Sequence, residues 1–293
     1  FILCLCLIAC IPQQVMAQKQ SRMEKLLRYL NDNDADKWQK NREKLDDETK
    51  AYYAEDLSLM DVLNDLWNGQ SEQAATLYFG CYEKAAQSNF PGICEGEKIP
   101  LSQIRDKADQ SIINLLEASK DKIPFSRALL DSIHATEYPV DSAMLQRLQN
   151  IREVALLEGM LKTPTPIIYQ TYVKEYPNGK FIAQVNASEN VRLYQLVKTA
   201  PTPANFKAFF EDPEMQKYYQ DRGPRPYLAE VRTLYDDFLF QRIDSLKKEG
   251  NATAIRQIID DYKNTPYLST GARTHLNDLE YLSEKADFEL LKP

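Results

Sequence analysis

The sequence predicts an all-α fold built as an α-α superhelix of stacked helical hairpins, and three observations carry the prediction. One phrase occurs twice: Pro166-Ile-Ile-Tyr-Gln-Thr-Tyr-Val-Lys-Glu-Tyr-Pro177 and, 37 residues on, Pro203-Ala-Asn-Phe-Lys-Ala-Phe-Phe-Glu-Asp-Pro213. A period of this size suits a helical hairpin, which is too small to bury its apolar face alone and leans on its neighbours. From Ser21 onward apolar residues recur every three to four positions, and nothing in the second half alternates at period two over a useful length. Prolines punctuate the pattern where helices must stop, because the residue before a proline is pushed out of the α region.

Taken in order, the chain opens on Phe-Ile-Leu-Cys-Leu-Cys-Leu-Ile-Ala-Cys-Ile, an uncharged apolar run closed by Pro12. It is shorter than the ~20 residues that span a bilayer, and it reads as the core of a signal peptide. With neither a methionine nor a basic flank before it, the sequence is expected to lack its true beginning. Val15-Met-Ala17 is a small-residue cleavage site, which makes residues 1–17 the signal peptide and Gln18 the first mature residue. Alternatively, Leu7-Ile-Ala-Cys10 resembles a bacterial lipobox, which would leave Cys10 as a lipid anchor. Both readings export the protein to the periplasm or the outer envelope.

Export governs the cysteines. Of five, Cys4, Cys6 and Cys10 lie in the leader, and Cys81 and Cys94 remain. In an oxidising compartment these two are expected to form a disulfide, adding about 3 kcal/mol of stability for a loop of this size.

The stripe Leu59, Met60, Leu63, Leu66 and Trp67 predicts a helix ending at Asn68-Gly69, and Gln73 to Ala86 predicts a second. Ser88 to Pro100, with two prolines and two glycines, is the longest irregular stretch. It marks the expected boundary between an N-terminal helical unit (18–95) and a helical-repeat region (96–293). Further helices follow from Ile104, Ala108, Ile112 and Leu115, from Leu145, Leu148, Ile151 and Ala155, and from Leu228, Val231, Tyr235, Phe238 and Ile243. Tyr138-Pro139 upstream, and Ala254 to Tyr262 followed by Pro266-Tyr267 downstream, read as degenerate copies of the duplicated phrase.

Helix, Tyr-Pro, short polar turn, aromatic, then an alanine-bearing helix resembles the tetratricopeptide-like repeats of exported proteins from Bacteroidetes-type bacteria. Tyr172, Tyr176, Pro177, Phe181 and Ala183 carry the resemblance, with Phe209, Pro213 and Tyr219 in the second copy, over residues 120 to 285. The chain lacks the Trp, Leu-Gly and Tyr constellation of the standard unit, and an insert from Tyr218 to Pro226 breaks the period. The resemblance implies protein-protein interaction and carries no catalytic residues.

A formal charge of −7 excludes the basic face that nucleic acids need. Asp32, Asp34, Asp36 and Glu43 match the ligand spacing of a calcium loop, but Lys37 stands where the turn wants glycine. The plainer reading is a helix cap at Asp34 or Asp36, so no metal is expected. His134 and His275 belong to no metal or nucleophile motif, and no cofactor signature occurs. Asp131-Ser-Ile, Asp141-Ser-Ala and Asp244-Ser-Leu resemble the tripeptide that Bacteroidetes glycosylate. Aromatic residues are dense, with 17 tyrosines and 11 phenylalanines. Core packing is their default, and the insert is where exposed ones would matter: Tyr218, Tyr219, Arg222, Arg225 and Tyr227 form the expected ligand-binding group. The expectation is thus an exported non-enzymatic scaffold binding an envelope protein or peptide. The alternative is a glycan- or peptide-binding accessory protein using residues 218–227.

Overall fold

The computed structural model describes residues 2–285, with side chains for residues 15–281. Among them the backbone is all-helical, without a strand. The chain divides into two compact units, Phe1–Ala155 and Leu156–Pro293.

The first unit contains α1 (Ile2–Asn31), α2 (Ala35–Glu43), α3 (Asp47–Tyr52), α4 (Ala54–Trp67), α5 (Glu72–Ala86), α6 (Phe90–Gly96), α7 (Leu101–Ala118) and α8 (Lys122–His134). The division falls inside α9 (Ser142–Lys162). Residues 2–17 are backbone of α1, and the expected lipidation point Cys10 lies outside the described side chains. The buried face of α1 among the described side chains is Lys19, Met23, Leu26, Leu27 and Leu30, all beyond Ala17. It packs on α2, α4 and α6, while α4 packs on α5 and α7 through Leu59, Met60, Leu63 and Leu66.

Local chemistry sets the ends of these helices. Asp34 caps α2 by accepting from the Lys37 backbone N–H at 3.1 Å, and Asp46 caps α3 through the Thr49 N–H at 2.8 Å. The calcium-like spacing at residues 32–43 is therefore a cap followed by a helix whose Trp38 is buried.

Ser88 to Pro100 is not the boundary its composition suggests. It folds into α6 and puts Phe90, Ile93 and Cys94 into the core of the first unit. Asn89 gives α6 no side-chain cap. Asp56, fully buried on α4, does part of that work from across the core, lying 3.4 Å from both Ser88 Oγ and Asn89 Nδ2. Burial raises the Asp56 carboxyl, while the backbone N–H groups of Phe90 and Asn89 pull it back toward its ionised form.

That placement also overturns the expected disulfide. Cys81 on α5 lies 3.5 Å from Ser58 Oγ on α4, whereas Cys94 is buried on α6, and both are free thiols. A helix of about two turns stands where a loop would have brought them together. Burial pushes the Cys94 thiol up to about 12.

The second unit carries the duplicated phrase. It contains α10 (Pro166–Glu175), α11 (Ile182–Thr199), α12 (Pro203–Phe210), α13 (Pro213–Tyr219), α14 (Leu228–Lys248), α15 (Ala252–Tyr262) and α16 (Thr270–Lys285). Both copies start alike: Thr165 and Thr202 are extended and accept from the N–H three residues on, each at 3.2 Å, with proline at the first helical position. Asn251 caps α15 in the same way. Seven residues past these three caps stand Tyr172, Phe209 and Ile258, at 0%, 0% and 4% exposure. Four past the first two stand Tyr169 and Phe206, also buried. The short helices therefore turn equivalent positions inward, against α11 for α10 and α12, and against α14 for α15. Tyr169 hydroxyl reaches Asn186 Oδ1 (2.9 Å), and Tyr172 hydroxyl accepts from the Phe181 N–H (3.0 Å), closing the first hairpin.

Two measurements test this description. Thr165→Ala and Thr202→Ala each lower unfolding stability by about 1 kcal/mol in urea melts, while exposed Gln170→Ala stays within about 0.5 kcal/mol. Iodoacetamide at pH 8 leaves native Cys94 unmodified, and unfolding without reductant exposes both Cys81 and Cys94 to alkylation; a disulfide-linked peptide would refute the free thiols.

Candidate functional site

The insert expected to carry function follows α12. Asp212 caps α13 through the Met215 N–H at 2.8 Å, and the chain then loops through residues 220–227 before α14 starts. Gly223 supplies φ of +97°, and Tyr227 closes the loop in the left-handed region at +62°, a conformation costly for a side chain with a Cβ.

Arg225 holds this loop down. Its guanidinium lies over the Phe209 ring, 3.9 Å from the centroid. Its Nε donates to Asn190 Oδ1 at 2.7 Å and its Nη1 to the Phe209 carbonyl. Asn190, buried on α11, in turn donates to the Pro226 carbonyl at 3.2 Å. Burial lowers the Arg225 pKa, with Asp212 opposing. Nη2 is enclosed and has no hydrogen-bond partner among the described residues.

The five expected ligand-binding residues divide among three places. Tyr218 and Tyr219 meet edge-on at 5.0 Å, and Arg222, in the loop, covers the Tyr218 ring while donating to the end of α13 at the Tyr218 carbonyl (2.9 Å). Tyr219 and Arg225 line a cavity of about 680 Å³ with Phe210, Met215, Gln216 and Pro224. Tyr227 stacks flat on Tyr194 at 4.4 Å, on a separate cavity of about 490 Å³ that Arg225 also borders. Tyr194 hydroxyl donates to Glu230 at 2.7 Å, which keeps the stack in register. The insert is thus a braced element with two concave faces.

His134 is exposed at the end of α8, and exposed His275 rests edgewise on Phe240 (4.9 Å). Asp131 and Asp244 lie within α8 and α14, and Asp141 directly precedes α9. No group of three His, Cys, Asp or Glu side chains among the described residues could hold a metal ion. No described helix is long and apolar enough to cross a membrane.

Sequence reading missed a second site, in the first unit. Tyr138 follows α8 and buries its ring among Tyr78, Phe79 and Tyr82, at centroid distances of 5.6, 4.9 and 5.1 Å. Its hydroxyl donates to Asp109 Oδ1 at 2.5 Å and lies 3.4 Å from the Tyr78 hydroxyl. Asp109, on α7, is 7% exposed. Desolvation lifts its carboxyl to about 6 despite the Tyr138 bond and the nearby Arg105, which favour the charged form. A signal was available: Asp109, Ile112, Ile113 and Leu116 share one helical face, a carboxylate in a core stripe.

Against known proteins, the chain matches no family model, no curated protein and no solved structure.

Arg225 and Arg222 are separable by mutation. Arg225→Ala lowers stability by about 2 kcal/mol or more in urea melts, because it strips Asn190 and the Phe209 carbonyl of a charged donor. Arg222→Ala stays within about 0.5 kcal/mol. Equal, small effects would mean that the loop is not braced from within.

Proposed function

We propose that the chain is an exported, non-enzymatic scaffold of tetratricopeptide-like architecture, soluble in the periplasm or tethered at the outer envelope, that binds another envelope protein. The observation that carries this reading is the register of the second unit. Three short helices, α10, α12 and α15, each packed on a longer one, repeat cap and buried anchor at the same offsets, which is how α-α solenoids build extended binding surfaces. Leu161, Ile167 and Val191, on α9, α10 and α11, remain 62%, 76% and 41% exposed, apolar area of the kind protein partners cover. The export half of the reading draws support from the uncharged apolar run before Pro12 and the small-residue site Val15-Met-Ala17.

The cavity of Tyr219 and Arg225 favours a second reading, a peptide- or glycan-binding accessory protein, since its lining combines the aromatic rings of Phe210 and Tyr219 with polar Gln216 and Arg225.

The test is made in cells. Mass spectrometry of the mature protein is expected to find Gln18 at its N-terminus or a lipid on Cys10. A photo-crosslinking residue at Ile167 or at Val191 captures one and the same envelope protein, and Ile167→Asp abolishes capture from Val191. An uncleaved chain in the cytoplasm, or no shared crosslink, defeats the scaffold reading. Peptide binding unchanged by Tyr219→Ala removes the second.

A further inference from the structure

The missed site in the first unit opens on a cavity of about 650 Å³ between α7 and the start of α9, with Asp109 in its lining. Asp109 is more than nine-tenths buried, yet only one of its oxygens is engaged, by Tyr138. The other has no hydrogen-bond partner among the described residues and is not sealed from solvent, so it faces the cavity. Of the cations on the same wall, Arg147 bonds Glu117 (2.8 Å), while Arg105 bonds Asp106 (3.4 Å), keeps a buried Nε without a partner among the described residues, and donates no hydrogen bond to Asp109. Asp141, at the rim, forms no ion pair among the described residues and adds a second negative charge. Apolar groups complete the lining, namely Ile113, Pro139, Ala143 and Met144.

From this arrangement we propose that the cavity receives a lysine side chain of a partner polypeptide. Its ammonium pairs with the free oxygen of Asp109, and its methylene stem lies along Ile113 and Met144. The choice of cation follows from the single open oxygen. A guanidinium fork wants two parallel acceptors, and Tyr138 already occupies the second, whereas an ammonium is a point charge that one oxygen satisfies. A metal ion would need further ligands, and the acidic groups here do not converge to supply them. The occupant also relieves a cost that remains within the protein, since the desolvation of Asp109 outweighs the help it receives from Tyr138 and Arg105. The inference rests on the protein-binding reading above for the source of the lysine, but not for the chemistry of the cavity.

The test uses the full chain and Nα-acetyl-lysine-N-methylamide, with the norleucine analogue as the same stem lacking the ammonium. Titration followed by NMR is expected to show saturable binding of the lysine compound at pH 7.5, about tenfold or more tighter than norleucine. Asp109→Asn, whose side-chain oxygen can still accept from Tyr138, loses that preference. Ala143→Trp, at an exposed position on the rim, blocks the compound without touching the core. Binding also weakens from pH 7.5 to pH 5, since Asp109 takes up a proton around 6 while the ammonium stays charged. Arg105, Asp106, Asp141, Arg147 and the phenols of Tyr78, Tyr82 and Tyr138 are the other charged or titratable groups near it.

Equal affinity for lysine and norleucine compounds, no saturable binding, or an unchanged preference in Asp109→Asn overturns the proposal. Tighter binding of 1,5-diaminopentane than of the lysine compound, by about tenfold, overturns the polypeptide source and assigns the cavity to a free amine. Because these titrations need no partner, lysine binding without any crosslinked envelope protein would sink the scaffold reading and leave the cavity chemistry standing.

Discussion

The second unit depends on one constraint: helices of eight to eleven residues do not persist in water by themselves. α10, α12 and α15 exist because a longer helix covers the face on which Tyr172, Phe209 and Ile258 stand. Remove the cover and the propensity of these segments is not enough, since β-branched and aromatic residues fill them. The threonine-proline and asparagine starts do the complementary task. They set where each short helix begins, and so which residues meet the neighbour. Cap and ring are thus two halves of one specification, and their fixed spacing makes the repeat a physical unit as well as a textual one.

The insert after α12 shows how an irregular loop is made rigid with few residues. Arg225 bonds a side chain of α11 and a carbonyl of α12, and Asn190 returns a bond to the loop backbone. Two prolines limit the conformations that must be restrained, and Gly223 takes the positive φ that the turn needs. The outcome is a loop with aromatic surface on two sides, which a floppy connection of the same composition would not present.

Helical content, the 37-residue repeat and the caps were legible in the sequence because they rest on local periodicity and on residues within one turn of each other. What was not legible involved partners distant in sequence. Ser88 to Pro100 looks like a linker by composition, yet Asp56, 33 residues before Asn89, turns it into a buried helix. The same rearrangement separates Cys81 from Cys94, which spacing alone suggested would pair. At the candidate site the sequence located the insert but not the inward turn of Arg225, since an arginine between prolines in a polar loop reads as exposed. Asp109 escaped notice because attention fell on carboxylates in loops, while this one sits on the apolar face of α7.

Both units mix short closures with long ones, Tyr267 on Glu211 joining residues 56 apart in the second. There Tyr172 also meets Phe181 nine residues away, while in the first Arg28 on α1 is held by Glu97, 69 residues on, and Lys107 reaches back to Asn31. Joining ends that far apart costs about 2 kcal/mol more in loop entropy than closing a hairpin, and widely separated contacts slow folding. α1 packs on α2, α4 and α6, so the cover over Met23, Leu26, Leu27 and Leu30 is finished only when α6, far along the chain, has folded onto it.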